Sequence, residues 1–371
     1  MALAVVVGLF LLLGGVGLGW GLVRSNIPST QTGAGTIRTV PQQSSSAGAG
    51  QGIDVQAVAN KVEPAVVDVN TVVQTTGRSV QAAGTGMLVT SGGEVLTNNH
   101  VVEGSTSITV TIPGRSGSHS ARVLGVDPTE DVALIQVEGV SGLPTVQLAD
   151  SSGLTVGQNV VAIGNAGGEG GPPSVTQGTI TALNQSITAG DANSAPEQLS
   201  GLIQTDAPIE PGDSGGPLAN AAGQVVGMIT AGSTQGFRQQ ATTVGYAVTS
   251  STAAGIVSQI QKGQASSTII LGPSGFLGVG VRDLDAQTAA QLGLNVNSGA
   301  LVTSVLSGSS ADQAGIQPGS VITRIDSIQV TSSSSLGPAI QSHKPGQRIQ
   351  VGWTDQGGSH TATVTLGSHI A

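Results

Sequence analysis

The chain has 371 residues, a length typical of two or three domains. Only 9% of the residues are charged and 2% aromatic, whereas 57 are glycine, which excludes a helical bundle or coiled coil and favours short strands joined by glycine-rich turns. The net charge of −9, with only 12 Lys and Arg, excludes binding to nucleic acid through its phosphates. The absence of cysteine excludes thiol catalysis, zinc–thiolate sites and disulfides.

The chain opens with an apolar segment, residues 1–23, that carries no charged side chain. A helix of this length spans about 34 Å, enough to cross a bilayer core, and Trp20 lies near one end, where a membrane has its aromatic belt. We therefore predict a single transmembrane anchor. A cleaved signal peptide fits less well, because no basic residue precedes the apolar run and GLVRSNIP is a poor cleavage site. A buried core helix is the third alternative.

Two further segments follow the apolar start. Residues 24–53 are rich in Ser, Thr, Gln and Gly without apolar periodicity, which predicts a flexible linker. From residue 54, apolar runs of four to eight residues alternate with Gly, Asn, Asp and Pro. Such spacing predicts an all-β barrel or sandwich, and a length of about 200 residues suits two small barrels packed together. We assign this unit to residues 54–265.

The strongest chemical signal is DAPIEPGDSGGPLAN at residues 206–220. Ser214 is flanked by glycines after a proline-containing turn, which lets its hydroxyl stand clear of the backbone and lets nearby amides converge on a developing oxyanion. A plain Gly/Pro turn is the alternative. The string GDSGGP would arise by chance in only about a few in ten thousand such chains, so we predict that Ser214 is a nucleophile.

A serine nucleophile needs a general base, and the chain has five histidines. His100 lies in GEVLTNNHVVEG, where a strand meets a helical turn, a junction that holds a side chain firmly while leaving it accessible. The other histidines, in a Gly/Ser loop or in the C-terminal third, are His119, His343, His360 and His369. We therefore predict that His100 is the base.

The base in turn needs a carboxylate that fixes its tautomer. The segment DPTEDVALIQV offers Asp127, Glu130 and Asp131. Asp127 precedes a proline and is typical of a turn, and Glu130 would point away from its neighbour. We choose Asp131 because it directly begins the predicted strand VALIQV.

A second module is predicted at residues 266–371. It begins with GFLGVGV, continues through ALVTSVL and SSADQAGIQPGSVITRIDSIQV, and ends with a short helix and a hairpin. The connection QKGQASSTIILGPSG is short and rich in Gly and Ser, which predicts that the module can shift against the barrels.

These motifs together resemble the HtrA/Deg family of serine proteases. TNNHVV, DVALIQV and GDSGGPL occur in the family's order, followed by FLGV and AGIQPGSVI, over about residues 54–367. The resemblance implies a mainly β fold, with a chymotrypsin-like double β-barrel followed by a PDZ domain. It implies that His100 is the general base, Asp131 its partner and Ser214 the nucleophile, and that the amides of Gly212 and Ser214 form the oxyanion hole. Many members have Asn where this chain has Asp213, a side chain we expect to point away from the oxyanion site.

The resemblance also implies two binding regions. The strand after the nucleophile borders a modest apolar specificity pocket, for which we name Ile229, Thr230 and Ala231; a basic side chain would leave an unpaired charge there. The backbone amides of a second loop would receive a peptide C-terminus, which would add as a strand opposite a helix at Pro338–His343. The loop residues are Phe276, Leu277, Gly278 and Val279.

The sequence therefore predicts a membrane-tethered serine endopeptidase of envelope protein quality control and stress response. Its barrels and PDZ domain would lie on the extracytoplasmic side of the cell membrane, and its partners would be unfolded proteins and C-terminal peptides. No metal, organic cofactor or nucleic acid is implied, and a homotrimer is expected from the family alone. Two alternatives stay open: a non-catalytic chaperone that captures C-termini, and a passive envelope scaffold.

Overall fold

The computed structural model describes residues 6–7, 52–75, 78–165, 171–189, 197–235 and 242–369. Val6–Val7 forms a two-residue strand, β1, paired in parallel with Thr188 and Ala189. The rest of the predicted anchor and nearly all of the predicted linker lie outside the described residues. Within the described part of the chain, no helix combines the length and the apolar character that a bilayer crossing needs.

The first barrel is built from six antiparallel strands that close on themselves. Its cyclic order is β2-β3-β4-β7-β6-β5, because β6 pairs with both β5 and β7. The helix α1 precedes it and begins where Asp54 accepts a hydrogen bond from the Ala57 amide at 3.0 Å. The elements are α1 Val55–Val62, β2 Val66–Thr75, β3 Arg78–Leu88, β4 Glu94–Thr97, α2 Asn99–Val102, β5 Ser105–Thr111, β6 Ser118–Asp127 and β7 Val132–Val137.

The second barrel repeats this arrangement. Its cyclic order is β8-β9-β10-β13-β12-β11, which is the same order counted from the first strand of each barrel, and β8 closes it by pairing with β9. The elements are β8 Asn159–Gly164, β9 Ser174–Ala189, β10 Glu197–Thr205, β11 Pro217–Ala219, β12 Val225–Gln235, β13 Thr242–Thr249 and the helix α3 Ser250–Gln261. The predicted double barrel is confirmed.

Alternating apolar side chains fill each barrel, as period-two strands with one buried face require. Val69, Leu88 and Ile135 lie in the first core, and Ile180 and Ile203 lie in the second. A third apolar cluster joins the barrels to α3 through Met87, Leu134, Leu202, Met228 and Val257, among others. Each barrel therefore has its own core, and a shared apolar cluster joins the two.

The C-terminal module has its own core, centred on residues such as Leu277, Ile322, Leu336 and Trp353. One sheet has the order β16-β17-β18-β20-β21, with β19 beside β18, and a second sheet pairs β15 with β22. The elements are β15 Ser274–Phe276, β16 Val279–Asp283, α4 Ala286–Gln291, β17 Ala300–Val305, α5 Ser310–Gln313, β18 Val321–Ile325, β19 Ile328–Gln329, α6 Ser333–Gln341, β20 Arg348–Asp355, β21 Gly358–Thr365 and β22 Gly367–His369.

The connection between barrels and module differs from the expected loose linker. Ile270–Leu271 forms a strand, β14, that pairs antiparallel with Val126 and Gly125 of β6. The Gly272 amide extends this pairing by donating to the Leu124 carbonyl at 2.8 Å. The segment docks through the apolar residues Ile269, Ile270 and Leu271, although the residues before them are polar. We refer to residues 266–272 as the docked segment.

Candidate active site

His100 lies on the short helix α2, directly after β4 of the first barrel. Its Nδ1 lies 2.8 Å from Oδ2 of Asp131, and its backbone amide donates to Oδ1 of the same carboxylate at 3.0 Å. Because an ionised carboxylate can only accept, Nδ1 carries the ring proton and Nε2 is the basic nitrogen. The His100 side chain is 22% exposed, whereas that of Asp131 is 2% exposed.

Asp131 does not begin the strand, as the sequence suggested, but precedes it. It follows a 3₁₀ turn at Pro128–Glu130 and has a left-handed backbone with φ of 52°, while β7 begins at Val132. This conformation turns the carboxylate towards His100. The Asn98 side chain holds it there by donating to the Asp131 carbonyl at 2.9 Å. Asp127 caps the turn by accepting from the Thr129 amide, in agreement with its expected role.

Ser214 lies in the second barrel, in the turn that precedes β11. The turn is fixed by the Gly216 amide, which donates to the Asp213 carbonyl at 2.9 Å, and by the Gly215 amide, which donates to Ile229 at 2.8 Å. The Asp213 carbonyl and the Ser214 amide belong to one trans peptide unit and point in opposite directions. Because the carbonyl points at Gly216, the Ser214 amide faces away from it. Gly215 has φ of 89°, and a Cβ there would lie 1.9 Å from the Thr85 carbonyl, so only glycine fits.

Thr85, on β3 of the first barrel, anchors this turn, and the sequence reasoning missed it. Its amide donates to the Ser214 carbonyl at 2.8 Å, and its hydroxyl donates to the Gly212 carbonyl at 2.7 Å. The same hydroxyl accepts from the Asn165 amide at 2.8 Å. Thr85 is fully buried. A threonine within an ordinary strand sequence, GTGML, gives no signal of this role.

The residues named for the specificity pocket have different positions. Ile229 is fully buried in the second barrel's core, so its side chain lies beyond the reach of a substrate and only its backbone borders the turn. The Thr230 hydroxyl donates to Oδ2 of Asp131, and its carbonyl accepts from the Ser214 hydroxyl at 3.3 Å. A bulge between Ile229 and Ala231 produces this orientation. The side chain of Ala231 lies outside the described part of the chain.

In the C-terminal module, the loop Phe276–Val279 turns its carbonyls inward. The Leu277 carbonyl accepts from the Ala311 amide and the Gly278 carbonyl from the Leu306 amide, both at 2.9 Å. The amides of the same peptide units, those of Gly278 and Val279, consequently face outward. The next strand, β16, is an edge strand of its sheet and lies beside α6, which spans Ser333–Gln341 rather than the expected Pro338–His343.

Comparison with known proteins agrees with this two-part geometry. Residues 84–228 match the trypsin-like peptidase domain and residues 275–366 match the PDZ domain. The serine protease PepD of Mycobacterium tuberculosis is 36% identical over 332 residues, which cover 84% of this chain and 66% of PepD. A probable periplasmic serine endoprotease, DegP-like, of Ectopseudomonas mendocina is 35% identical over 293 residues, 78% of this chain and 57% of the relative.

The chain thus combines a trypsin-like peptidase domain with one PDZ domain and is similar to serine proteases named DegP-like and PepD. It spans less than two thirds of the length of these curated relatives. A solved structure of the HtrA-type protease AlgW with a decapeptide has 26% sequence identity and a TM-score of 0.46, and the match covers 85% of this chain and 99% of AlgW.

Asp213 places a buried carboxyl group directly beside Ser214. Its Oδ2 accepts from the Glu210 amide at 2.9 Å, and its Oδ1 accepts from the Ser174 hydroxyl at 3.2 Å. The side chain points into the protein, away from the outward face of the Ser214 amide. Burial raises the pKa of Asp213 to about 6, although its two hydrogen bonds oppose this shift.

Proposed function

We propose that the chain is a serine endopeptidase in which Ser214 is the nucleophile, His100 the general base and Asp131 its orienting partner. The observation that carries the proposal is the Asp131 carboxylate, which holds Nδ1 of His100 at 2.8 Å and, through Thr230, is connected to the Ser214 hydroxyl. These contacts support the proposal because they connect residues of two separate barrels that are far apart in the sequence.

In the proposed reaction, the Ser214 hydroxyl turns from the Thr230 carbonyl towards Nε2 of His100. The imidazole takes its proton as Oγ attacks the substrate carbonyl, and the buried Asp131 stabilises the resulting imidazolium. His100 then gives the proton to the leaving amine, which produces an acyl-enzyme that water hydrolyses.

The oxyanion would be stabilised by the amides of Gly212 and Ser214. The outward direction of the Ser214 amide supports this assignment, and so does the Thr85 hydroxyl, which fixes the Gly212 carbonyl and limits rotation of the turn. Donors held in place before the reaction need no reorganisation when charge develops, and this is usually a large part of catalysis.

The proposed substrates are unfolded or misfolded proteins on the extracytoplasmic side of a membrane. Periplasmic relatives support the compartment, and the apolar segment 1–23 supports a membrane tether. The PDZ loop, with the open edge of β16 beside it, would bind free C-termini and would favour the active arrangement of the Gly212 turn. A homotrimer and an apolar pocket bordered by Ala231 complete the proposal.

Labelling with a fluorophosphonate tests the nucleophile. We expect the intact chain to be labelled and to degrade unfolded casein, whereas Ser214→Ala should do neither while keeping its circular dichroism spectrum. Removing a triad serine typically lowers turnover by about six orders of magnitude. A wild-type chain that is neither labelled nor active, yet binds C-terminal peptides, would favour the chaperone alternative.

A further inference from the structure

Asp127 links the docked segment to the turn that carries Asp131. Its Oδ2 accepts from the Thr268 hydroxyl at 2.8 Å. Its Oδ1 accepts from the amide and the hydroxyl of Thr129, at 3.1 and 2.5 Å. Asp127 is buried, so its carboxylate depends on protein donors rather than on water. One carboxylate therefore holds a residue of the docked segment and the start of the turn at the same time.

The turn ends at Asp131, four residues after Asp127. The Asp131 amide donates to the Pro128 carbonyl at 3.3 Å, and its φ of 52° is left-handed. Most non-glycine residues avoid this conformation, so contacts from the surroundings help to hold Asp131 in it. His100, Asn98 and Thr230 hold the end of the turn, and Asp127 holds its start.

The docked segment is fitted to this position by more than the Thr268 contact. Ile269 is 2% exposed and packs in the apolar cluster between the barrels. Gly125 leaves space for the segment, since a Cβ there would lie 2.9 Å from the Ile270 carbonyl. On the other side, Lys344 of the PDZ domain donates its ammonium group to the Leu271 carbonyl. The segment thus contacts the PDZ domain and the turn before Asp131.

We infer that Thr268 is a positioning residue for the Asp131–His100 pair and that the docked segment is part of the active-site scaffold. The inference rests on the proposed function. Without the Thr268 hydroxyl, Asp127 loses a donor, the turn loosens, and Asp131 spends less time in the geometry that orients the imidazole. The turnover number should fall while KM stays constant, because Thr268 acts on Asp127 and not on the Ser214 turn.

The test compares Thr268→Val, which removes only the hydroxyl, with Thr268→Ser, which keeps it, in the full chain. Thr106→Val is the matched control, because the Thr106 hydroxyl donates to the Val72 carbonyl at 3.1 Å within the first barrel. We expect Thr268→Val to lower kcat about fivefold with KM unchanged, as for the indirect loss of one hydrogen bond to a charged group. Thr268→Ser should restore kcat, and Thr106→Val should leave it unchanged.

The second readout is the low-field Nδ1 proton resonance of His100, which reports the hydrogen bond to Asp131 without turnover. It should weaken or shift in Thr268→Val alone. An unchanged resonance and an unchanged kcat in Thr268→Val would overturn the inference, and so would an equal fall in Thr106→Val. If the valine variant does not fold, Thr268→Ala repeats the comparison. Failure of the proposed function is seen separately, as a wild-type chain that a fluorophosphonate does not label.

Discussion

Two short loops of this chain expose backbone amides in the same way but are held differently. The turn around Ser214 and the loop Phe276–Val279 both fix carbonyls inward, so that neighbouring amides face outward. The Ser214 turn is held across a barrel boundary by Thr85 and includes the buried carboxyl group of Asp213. The PDZ loop is held inside its own domain by the amides of Leu306 and Ala311, without a charged group among these partners.

The difference shows where each activity is vulnerable. The Ser214 turn is complete only when the two barrels are correctly packed, because its anchor comes from the other barrel. The PDZ loop needs only its own domain. Catalysis should therefore respond most to changes between the barrels, and peptide binding should respond most to changes within the PDZ domain.

The largest effect is expected from Thr85→Val. The substitution keeps the shape of the residue but removes the hydroxyl that holds the Gly212 carbonyl at 2.7 Å. Loss of one oxyanion donor costs about 10²–10³ in kcat, and a loosened donor should cost part of that, about 30-fold. The fall in kcat is measured from the hydrolysis of a peptide substrate. Thr85→Ser, which keeps the hydroxyl, is the control, and equal rates for the two variants would show that Thr85 does not act through this bond.

A smaller effect is expected from Gly278→Ala in the PDZ loop. Gly278 has φ of 86°, and a Cβ would lie 2.2 Å from the Cβ of Ser309. A left-handed alanine costs about 1–2 kcal/mol, which corresponds to about a tenfold loss of affinity for a peptide with a free apolar C-terminus. Fluorescence anisotropy measures the binding. If wild type binds the free acid and its C-terminal amide equally well, the loop does not recognise a carboxylate.

The third prediction concerns the charge that distinguishes the two loops. Burial raises the pKa of Asp213 to about 6 from an ordinary 3.8, so the folded chain binds this proton more tightly than the unfolded chain. The ionised group therefore destabilises the fold above pH 6, and the penalty disappears as the pH falls towards 3.8. Asp213→Asn should raise the free energy of unfolding at pH 7.5, by at most about 3 kcal/mol.

The measurement is the difference in unfolding free energy between wild type and Asp213→Asn at several pH values. Since the two chains differ only at this position, other ionisable groups cancel. The difference should be small at pH 4, grow through pH 6 and then level off. A difference that is constant from pH 4 to pH 8 would contradict the buried, penalised carboxylate.

The sequence was sufficient for the parts that depend on local patterns. Strand-length apolar runs predicted the double barrel, and three motifs in one order pointed to His100, Asp131 and Ser214. The GDSGGP glycines indicate a tight turn: Gly212 and Gly215 have φ of 101° and 89°, and a Cβ on Gly215 or Gly216 would lie 1.9 or 2.2 Å from a backbone carbonyl oxygen. Such features are visible in the residue types themselves.

The features that the sequence did not predict depend on contacts between distant segments. Thr85 and Thr230 are polar residues in ordinary strands, and only barrel packing brings them to the Ser214 turn and to Asp131. A bulge in β12 between Ile229 and Ala231 turns Thr230 towards Asp131, which strict alternation would not predict. The docked segment has the composition of a linker, and its Ile and Leu residues reveal docking only once β6 is beside them.

Closure of both barrels has a consequence for a chain that would act on unfolded polypeptides. Partly unfolded proteins offer unpaired strands that add to any open sheet edge, and this is a common route to aggregation. In the described part of the barrels, each of the twelve strands has a neighbour on both sides. The PDZ sheet has two edge strands among the described residues, β16 and β21, and we expect an added strand at the five-residue β16, where a helix limits what can enter. Closure of the barrels should thus limit co-aggregation of the chain with its proposed substrates.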